Sequence, residues 1–127
     1  MIIYGIGTDI VNIDRIKNSL KNKNFINRIF NEKEILKCKN NNNSTHCYAK
    51  RFAAKEAFSK ALGTGIANGI NFNEIVVLNK KSGKPYINVI GQSKKILYKK
   101  FKGKKTKISL SLSDEKKYAV AFVTITK

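Results

Sequence analysis

The sequence predicts an α+β domain in which helices pack on one side of a mainly antiparallel sheet. Strand-like patterns occur at the two ends of the chain and in a central hairpin, whereas helical patterns are grouped between them. The regular alternation of strands and helices that builds a parallel sheet is absent, so antiparallel pairing is favoured. The length of 127 residues suits one hydrophobic core, and a single domain over residues 1–127 is therefore expected.

The chain is predicted to begin with a strand and a helix. Residues 2–8 are rich in apolar side chains and contain Gly5 and Gly7, a pattern typical of a strand that another part of the backbone approaches closely. Thr8 and Asp9 are expected to end the strand. A helix with a basic exposed side is predicted next, because apolar residues follow with helical spacing at Ile10, Ile13, Ile16 and Leu20.

Two short helical segments are predicted before residue 40. Residues 25–30 are apolar enough to pack as one or two helical turns. Asn31 and Glu34 then have the spacing of a capping box, which predicts a further helix with Ile35 and Leu36 facing inward.

A long alanine-rich helix is the predicted centre of the fold. It is expected to begin near Ser44 or Thr45, where a hydroxyl group can cap the first free amides, and to end at Gly63. Close packing of one helix face is predicted by small residues that recur every four positions, at Ala49, Ala53, Ala57 and Ala61.

The C-terminal half is predicted to contain a β-hairpin, a short basic helix and two final strands. The hairpin turn is expected at residues 80–85, since Gly83 can adopt a positive φ angle and Pro85 suits the first position of a strand. The five predicted elements span residues 72–78, 86–90, 93–101, 106–112 and 118–126.

The strong positive charge favours acidic partners without naming one. The formal net charge is +18, and 23 of the 26 basic residues are lysine. This charge supports RNA binding as an alternative function. The chain has only three arginines, Arg15, Arg28 and Arg51. Arginine binds phosphates and bases through its planar guanidinium group, so its scarcity weakens the RNA-binding alternative. No apolar run approaches the roughly 20 residues of a membrane helix, so a cytoplasmic protein without membrane or nucleic-acid partners is expected.

The two cysteines are expected to be free thiols. Cys38 and Cys47 flank a run of asparagines and do not form a CxxC pair. His46 is next to Cys47, but adjacent side chains seldom reach the same ion, and a zinc site is not predicted.

Glu56 and Lys60 lie one turn apart on the central helix, on the same face as Phe52. A glutamate placed four residues before a lysine is commonly an ordinary surface ion pair. The alternative is that Glu56 binds a hard cation and Lys60 binds an anion beside it.

Several separated segments favour the second interpretation. They are Gly5–Val11, Arg51–Ala57 with the following Gly63–Gly65, Gly83–Pro85, and Leu110–Ala119. In this combination and order, the chain resembles the holo-acyl-carrier-protein synthases, the small bacterial branch of the 4′-phosphopantetheinyl transferases, over its whole length. The resemblance implies the α+β fold of that family.

The resemblance implies a magnesium site made by two carboxylates. In similar proteins, the aspartate of the first segment and the glutamate of the second hold Mg²⁺ on the pyrophosphate of coenzyme A, so Asp9 and Glu56 are the implied metal ligands. These two residues and Lys60 are the implied catalytic residues. Magnesium uses few carboxylates and completes its octahedron with water and phosphate oxygens, which agrees with this assignment. Taken by itself, Asp9 is equally suited to cap a helix.

The resemblance also implies a cleft for coenzyme A. Its implied contact residues are Arg51, Lys60, Gly63, Thr64, Lys84 and Ser113. Arg51 and Lys60 would neutralise phosphate groups near the metal ion. Asp114 stands where many members have histidine and others have aspartate, as here, and Asn12 stands where glutamate is often found. The family's contacts at these two positions therefore do not carry over directly, whereas the implied metal ligands are unaffected.

The implied activity is the transfer of the 4′-phosphopantetheine arm of coenzyme A to a serine of apo-acyl carrier protein. The metal ion and Lys60 would stabilise charge on the pyrophosphate, while Glu56 would take the serine proton through a water molecule. Similar enzymes form homotrimers with the active site between subunits, and they bind the acidic carrier protein on the exposed side of the first helix. The basic residues there are Arg15, Lys17 and Lys21.

Overall fold

A computed structural model provides the structure of the chain and describes residues 1–63 and 69–127. Within these residues the elements are, in order, β1 (Ile3–Asn12), α1 (Ile13–Ser19), α2 (Lys23–Ile29), α3 (Glu32–Lys39), α4 (Ser44–Leu62), β2 (Ile75–Asn79), β3 (Pro85–Val89), α5 (Gly91–Lys100), β4 (Lys107–Asp114) and β5 (Tyr118–Thr126). A short 3₁₀ turn, Phe72–Glu74, precedes β2. The predicted α+β fold class is confirmed.

The strands form two antiparallel sheets. In the larger sheet the order is β1-β5-β4, and the smaller one is the hairpin of β2 and β3. Helix α4 covers one face of the larger sheet and packs most extensively on β1 and β5. The close packing predicted for its alanines is confirmed, because Ala53 and Ala57 have no exposed surface.

Two glycines bring α4 against the backbone of β1. A Cβ atom added to Gly5 would overlap the carbonyl group of Ala61, and one added to Gly7 would overlap that of Ala57. Only a residue without a side chain allows this approach. Since alternate residues of a strand share a face, the same approach turns Asp9 toward the helix.

Strand β1 is longer than the sequence predicts. The predicted end at Thr8 and Asp9 is wrong, because β1 continues to pair with β5 as far as Asn12 opposite Tyr118. Ile10 therefore lies on the strand, where it is 63% exposed, and does not join the face of a helix. The cap of α1 is Asn12, whose Oδ1 accepts a hydrogen bond of 3.0 Å from the backbone N–H of Arg15. Asp9 is thus not a helix cap.

Two local expectations about the helices also need correction. Leu36 is 65% exposed instead of facing inward, because Glu34 of the same helix takes the buried position. Helix α4 does begin at Ser44 and end before Gly63, which has a φ angle of +81°, but no side chain caps its first turn. The capping box of Asn31 and Glu34 is present as predicted.

The expectation of free thiols is wrong. Cys38 of α3 and Cys47 of α4 form a disulfide, with their Cα atoms 5.3 Å apart. This spacing lies in the range that a disulfide requires, and it arises because the end of α3 packs beside the start of α4. Sequence spacing alone does not reveal such a contact.

The sheet face opposite α4 is apolar and uncovered in the single chain. We call it the open face, and its large apolar residues are Ile6, Ile10, Tyr118, Val120 and Phe122. They come from β1 and β5, where Ile10 pairs with Val120. Within the described residues, no helix is both long and apolar enough to cross a lipid bilayer.

Candidate active site

Two carboxylates and an ammonium group meet where β1 crosses α4. Lys60 Nζ lies 3.2 Å from Asp9 Oδ1 and donates a hydrogen bond of 3.0 Å to the carbonyl oxygen of Thr8. Glu56 precedes Lys60 by one helical turn, and its carboxylate is close enough to Asp9 for the two charges to repel. The predicted catalytic residues are thus brought together. We call Asp9 and Glu56 the acidic pair.

The charged forms of Asp9 and Glu56 are both disfavoured by their surroundings. Burial raises the pKa of Asp9 above its usual value, although the hydrogen bond and the charge of Lys60 oppose this. Burial also raises the pKa of Glu56, the charge of Asp9 raises it further, and Lys60 lowers it in part. A single lysine therefore does not compensate two carboxylates, and a further cation would stabilise both of them.

The acidic pair fits a hard divalent cation that also binds the substrate. Within residues 1–63 and 69–127 no three side chains of histidine, cysteine, aspartate or glutamate gather as a metal-binding group. Magnesium does not need such a group, since it usually takes one or two carboxylates and keeps water and phosphate oxygens as its other ligands. The donor set therefore suits magnesium better than zinc.

A buried ion pair fixes the helix turn that carries Glu56. Lys55 Nζ lies 2.7 Å from Glu34 Oε1 and also donates to the carbonyl oxygens of Phe72 and Ile75, at 2.8 and 2.6 Å. Neither side chain of the pair is exposed. Burial lowers the pKa of Lys55 to about 8, against the attraction of Glu34. This pair is not predictable from the sequence alone, because the inward turn of Glu34 depends on α3 packing against α4.

Arg51 lies in a second polar site, which we call the basic pocket. This cavity of about 350 Å³ is lined by Lys37, Asn41, Asn43, His46, Cys47, Lys50, Arg51, Asn79 and Asp114. Arg51 is only 4% exposed and donates hydrogen bonds to Cys47 and Asn79. Its buried Nε has no hydrogen-bond partner among the described residues. A buried, incompletely paired guanidinium beside lysines suits an anion.

The basic pocket is separate from the acidic pair. Arg51 precedes Glu56 by five residues, which places the two side chains about 140° apart around a helix. In the single chain Arg51 thus lies in the basic pocket and not at the acidic pair, and its implied role in neutralising phosphate groups near the metal ion stays a prediction. The pocket was not predictable from local patterns, since its lining comes from α3, α4, the hairpin and the end of β4.

The other implied contacts of coenzyme A are dispersed. Lys84 is exposed and follows the hairpin turn, where Gly83 accepts a 3.0 Å hydrogen bond from Asn79 of the basic pocket. Ser113 is exposed and pairs with Val120, so it lies on the open face, away from the acidic pair. Gly63 ends α4, three residues beyond Lys60. Thr64 lies outside the described residues.

Two clefts share two aromatic residues, and one of them includes Glu56 while the other includes residues of the first helix. The larger, of about 440 Å³, is mainly apolar and includes Glu56, whereas the smaller, of about 200 Å³, includes Arg15. Phe25 and Phe52 line both of them. The predicted docking residues Arg15, Lys17 and Lys21 are exposed at and after α1. We call Phe25 and Phe52 the aromatic wall. The sequence does not predict it, because it indicates Phe52 only as a neighbour of Glu56 and Lys60 on the same helix face.

Comparisons with known proteins identify the family to which the chain is similar. A family model described as the 4′-phosphopantetheinyl transferase superfamily matches residues 5–123. Among relatives, the holo-[acyl-carrier-protein] synthase of Pelagibacter ubique (strain HTCC1062) is 54% identical over 127 residues, which is 100% of this chain and 99% of that protein. The synthase of the same name from Vesicomyosocius okutanii is 49% identical over 126 residues, covering 97% and 96% of the two chains.

Solved structures show the same fold. The crystal structure of holo-[acyl-carrier-protein] synthase from Neisseria meningitidis matches with a TM-score of 0.88 and 39% identity, over 99% of this chain and 100% of that one. The enzyme of Bacillus anthracis in complex with CoA (3′,5′-ADP) matches with a TM-score of 0.80 and 36% identity, over 98% and 97% of the two chains.

Proposed function

Since the chain belongs to the 4′-phosphopantetheinyl transferase superfamily, we infer that it transfers the 4′-phosphopantetheine group of coenzyme A to a serine of apo-acyl carrier protein. The products are holo-acyl carrier protein and adenosine 3′,5′-bisphosphate, and the reaction serves fatty acid biosynthesis. The observation that carries this conclusion is the full-length match to holo-[acyl-carrier-protein] synthases. The three residues that the resemblance implies as catalytic, Asp9, Glu56 and Lys60, also lie together in this chain, which supports the proposal.

We propose that Asp9 and Glu56 hold a magnesium ion at the reaction centre. When bound, the ion would neutralise charge on the pyrophosphate of coenzyme A. Lys60, which already contacts Asp9, would donate to a phosphate oxygen and stabilise the charge that develops as the pyrophosphate bond breaks. Lys55 and Glu34 would keep Glu56 in place while the substrate binds.

The two clefts support a proposed route for the acceptor serine. A carrier protein bound to α1 through Arg15 would meet the aromatic wall of Phe25 and Phe52, which also lines the cleft that includes Glu56. In this proposal Glu56 would take the serine proton through a water molecule as the hydroxyl attacks the β-phosphoryl group and adenosine 3′,5′-bisphosphate leaves. Lys17 and Lys21 would add to the attraction for the acidic partner.

The basic pocket would hold the phosphorylated adenosine end of coenzyme A. Coenzyme A has a pyrophosphate and a separate 3′-phosphate, and the acidic pair with its metal accounts for the pyrophosphate. The buried guanidinium of Arg51 and the ammonium groups of Lys37 and Lys50 suit the second phosphate. Lys84 at the adjacent hairpin turn would extend this positive surface.

A homotrimer would bring these dispersed contacts together. The open face exposes Ile6, Ile10 and Phe122 by 60%, 63% and 44%, which is unusual for a chain that remains alone. Burying it between copies would cover this apolar surface, and would also place Ser113 against a neighbouring subunit. We place the assembly in the cytoplasm, where coenzyme A and carrier protein are made.

Intact mass spectrometry of the carrier protein tests the proposed function. Apo-carrier protein is incubated with the enzyme, coenzyme A and MgCl₂, and its mass is expected to rise by one phosphopantetheine group. A carrier whose acceptor serine is replaced by alanine is the control and should keep its mass. An unchanged mass of the normal carrier would contradict the function.

A further inference from the structure

The basic pocket contains an acidic side chain that an anion site should avoid. Asp114 is the one carboxylate among the described residues that line it, beside Lys37, Lys50 and Arg51. A carboxylate facing a phosphate group costs free energy by like-charge repulsion. The negative charge of Asp114 therefore does not explain why this residue lies in the pocket.

The contacts of Asp114 with two neighbouring side chains explain its position. Asp114 ends β4 and reaches across to α4, where its Oδ2 lies 2.7 Å from His46 Nδ1. Its other oxygen, Oδ1, lies 3.7 Å from Lys50 Nζ, one helical turn beyond His46. The three side chains are about one-third exposed or less, at 26% for His46, 32% for Lys50 and 31% for Asp114. Asp114 thus connects His46 and Lys50, two residues of the pocket wall.

We propose that His46 is a binding residue for the 3′-phosphate of coenzyme A and that Asp114 is the residue that positions it. A histidine ring held at Nδ1 by a carboxylate has a fixed orientation, so its other nitrogen, Nε2, is left for a second partner. In the imidazolium form, that nitrogen donates a charge-assisted hydrogen bond to a phosphate oxygen. This proposal rests on the proposed function, because that function supplies the phosphate.

The proposal and simple electrostatics predict opposite effects for one substitution. If Asp114 acted only through its negative charge, Asp114→Ala would strengthen the binding of an anion. If it acts by orienting His46, the same substitution releases the imidazole and weakens binding. In a chain that already lacks the imidazole, the removal of Asp114 should no longer weaken binding. The two substitutions are therefore coupled.

Titration calorimetry with two nucleotides tests the proposal directly. Adenosine 3′,5′-bisphosphate has the 3′-phosphate, and adenosine 5′-monophosphate lacks it. His46→Gln and Asp114→Ala are each expected to weaken binding of the bisphosphate about tenfold, the effect of losing one charge-assisted hydrogen bond of about 1.4 kcal/mol. The double variant should bind it no more weakly than His46→Gln alone. Binding of the monophosphate should not change.

Controls separate positioning from general charge and from misfolding. Asp14→Ala removes an exposed acid on α1 and should leave nucleotide binding unchanged. Thermal unfolding of each variant checks the fold. In the transfer assay, His46→Gln should raise the KM for coenzyme A with little change in kcat, and it should leave the KM for dephospho-coenzyme A unchanged.

These experiments distinguish a failure of the proposal for His46 and Asp114 from a failure of the proposed transfer function. Tighter bisphosphate binding by Asp114→Ala would overturn the positioning role, and an equal effect of His46→Gln on both nucleotides would overturn the 3′-phosphate assignment. Unchanged bisphosphate binding by either variant would also overturn the proposal. Wild-type protein that binds the bisphosphate but transfers nothing would contradict the proposed function, while calorimetry would still decide the role of His46. Absence of binding by the wild type would contradict both.

Discussion

Lys60 Nζ lies 3.2 Å from Asp9 Oδ1, which joins a helix and a strand that are about 50 residues apart in the chain. The side chain of Lys60 is 56% exposed, whereas that of Asp9 is 15% exposed. The ammonium group therefore stands at the entrance of the acidic pair, where an incoming phosphate group would meet it.

Lys60→Met is expected to lower kcat by about two to three orders of magnitude, the usual effect of removing one group that stabilises transition-state charge. The fold should survive, because the end of a helix tolerates methionine and the side chain is largely exposed. Steady-state kinetics and a thermal melt provide the measurement. Full turnover by Lys60→Met would show that Lys60 is an ordinary surface charge with no part in catalysis.

Asp9→Ala and Glu56→Ala should each nearly abolish transfer, and the double variant should be little worse than either. The reason is that two ligands of one cation act as a unit, so the effects of removing them do not add. Kinetics over a range of magnesium concentrations measures this. Glu32→Ala, which removes an exposed acid from α3, is the control and should retain activity. Modest, additive losses would argue against a shared site.

Arg15→Glu should raise the KM for apo-carrier protein by one to two orders of magnitude, about 1.4 to 3 kcal/mol, with little change in the KM for coenzyme A. Arg15 is exposed on α1 and offers the planar fork that suits a carboxylate. Lys17→Glu and Lys21→Glu should have smaller effects, and Lys95→Glu on α5 should have none.

Salt gives an independent check on the docking surface. Charge interactions at a rim are screened over roughly 8–10 Å at moderate ionic strength, so added salt should narrow the difference between wild type and Arg15→Glu. If the KM for carrier protein is unchanged in Arg15→Glu at low salt, α1 is not part of the docking surface.

Phe122→Asp should convert a trimer into single chains. Phe122 is 44% exposed on the open face, and a carboxylate there would be buried without a partner in any assembly that covers this face. Tyr98→Asp is the matched control, since Tyr98 is 69% exposed on α5, away from the open face. Sedimentation velocity measures the masses. A wild type that sediments as a single chain, or a trimer that persists in Phe122→Asp, would contradict the proposed assembly.

Features that depend on nearby residues were predictable from the sequence. The end of α4 at Gly63 follows from the positive φ angle that glycine adopts easily, and the capping box of Asn31 and Glu34 follows from spacing alone. The hairpin was found for the same reason, because Gly83, which has a φ angle of +91°, lies between two alternating segments.

Features that depend on distant residues were not predictable in this way. The continuation of β1 past Asp9 is determined by pairing with β5, more than 100 residues later. The disulfide and the buried pair of Glu34 and Lys55 both require α3 to pack on α4. The acidic pair was identified through a family resemblance, since Asp9 alone is an equally good helix cap and Glu56 alone an ordinary surface charge.

The most direct test of the account is to follow both products of one reaction. Enzyme, coenzyme A, MgCl₂ and apo-carrier protein are mixed, and holo-carrier protein and adenosine 3′,5′-bisphosphate are quantified by mass spectrometry. The two products should form in equal amounts with wild type and should be nearly absent with Asp9→Ala or with chelator. No holo-carrier protein from the wild type, together with tight and strongly salt-dependent binding of generic RNA, would contradict it and favour a basic RNA-binding protein.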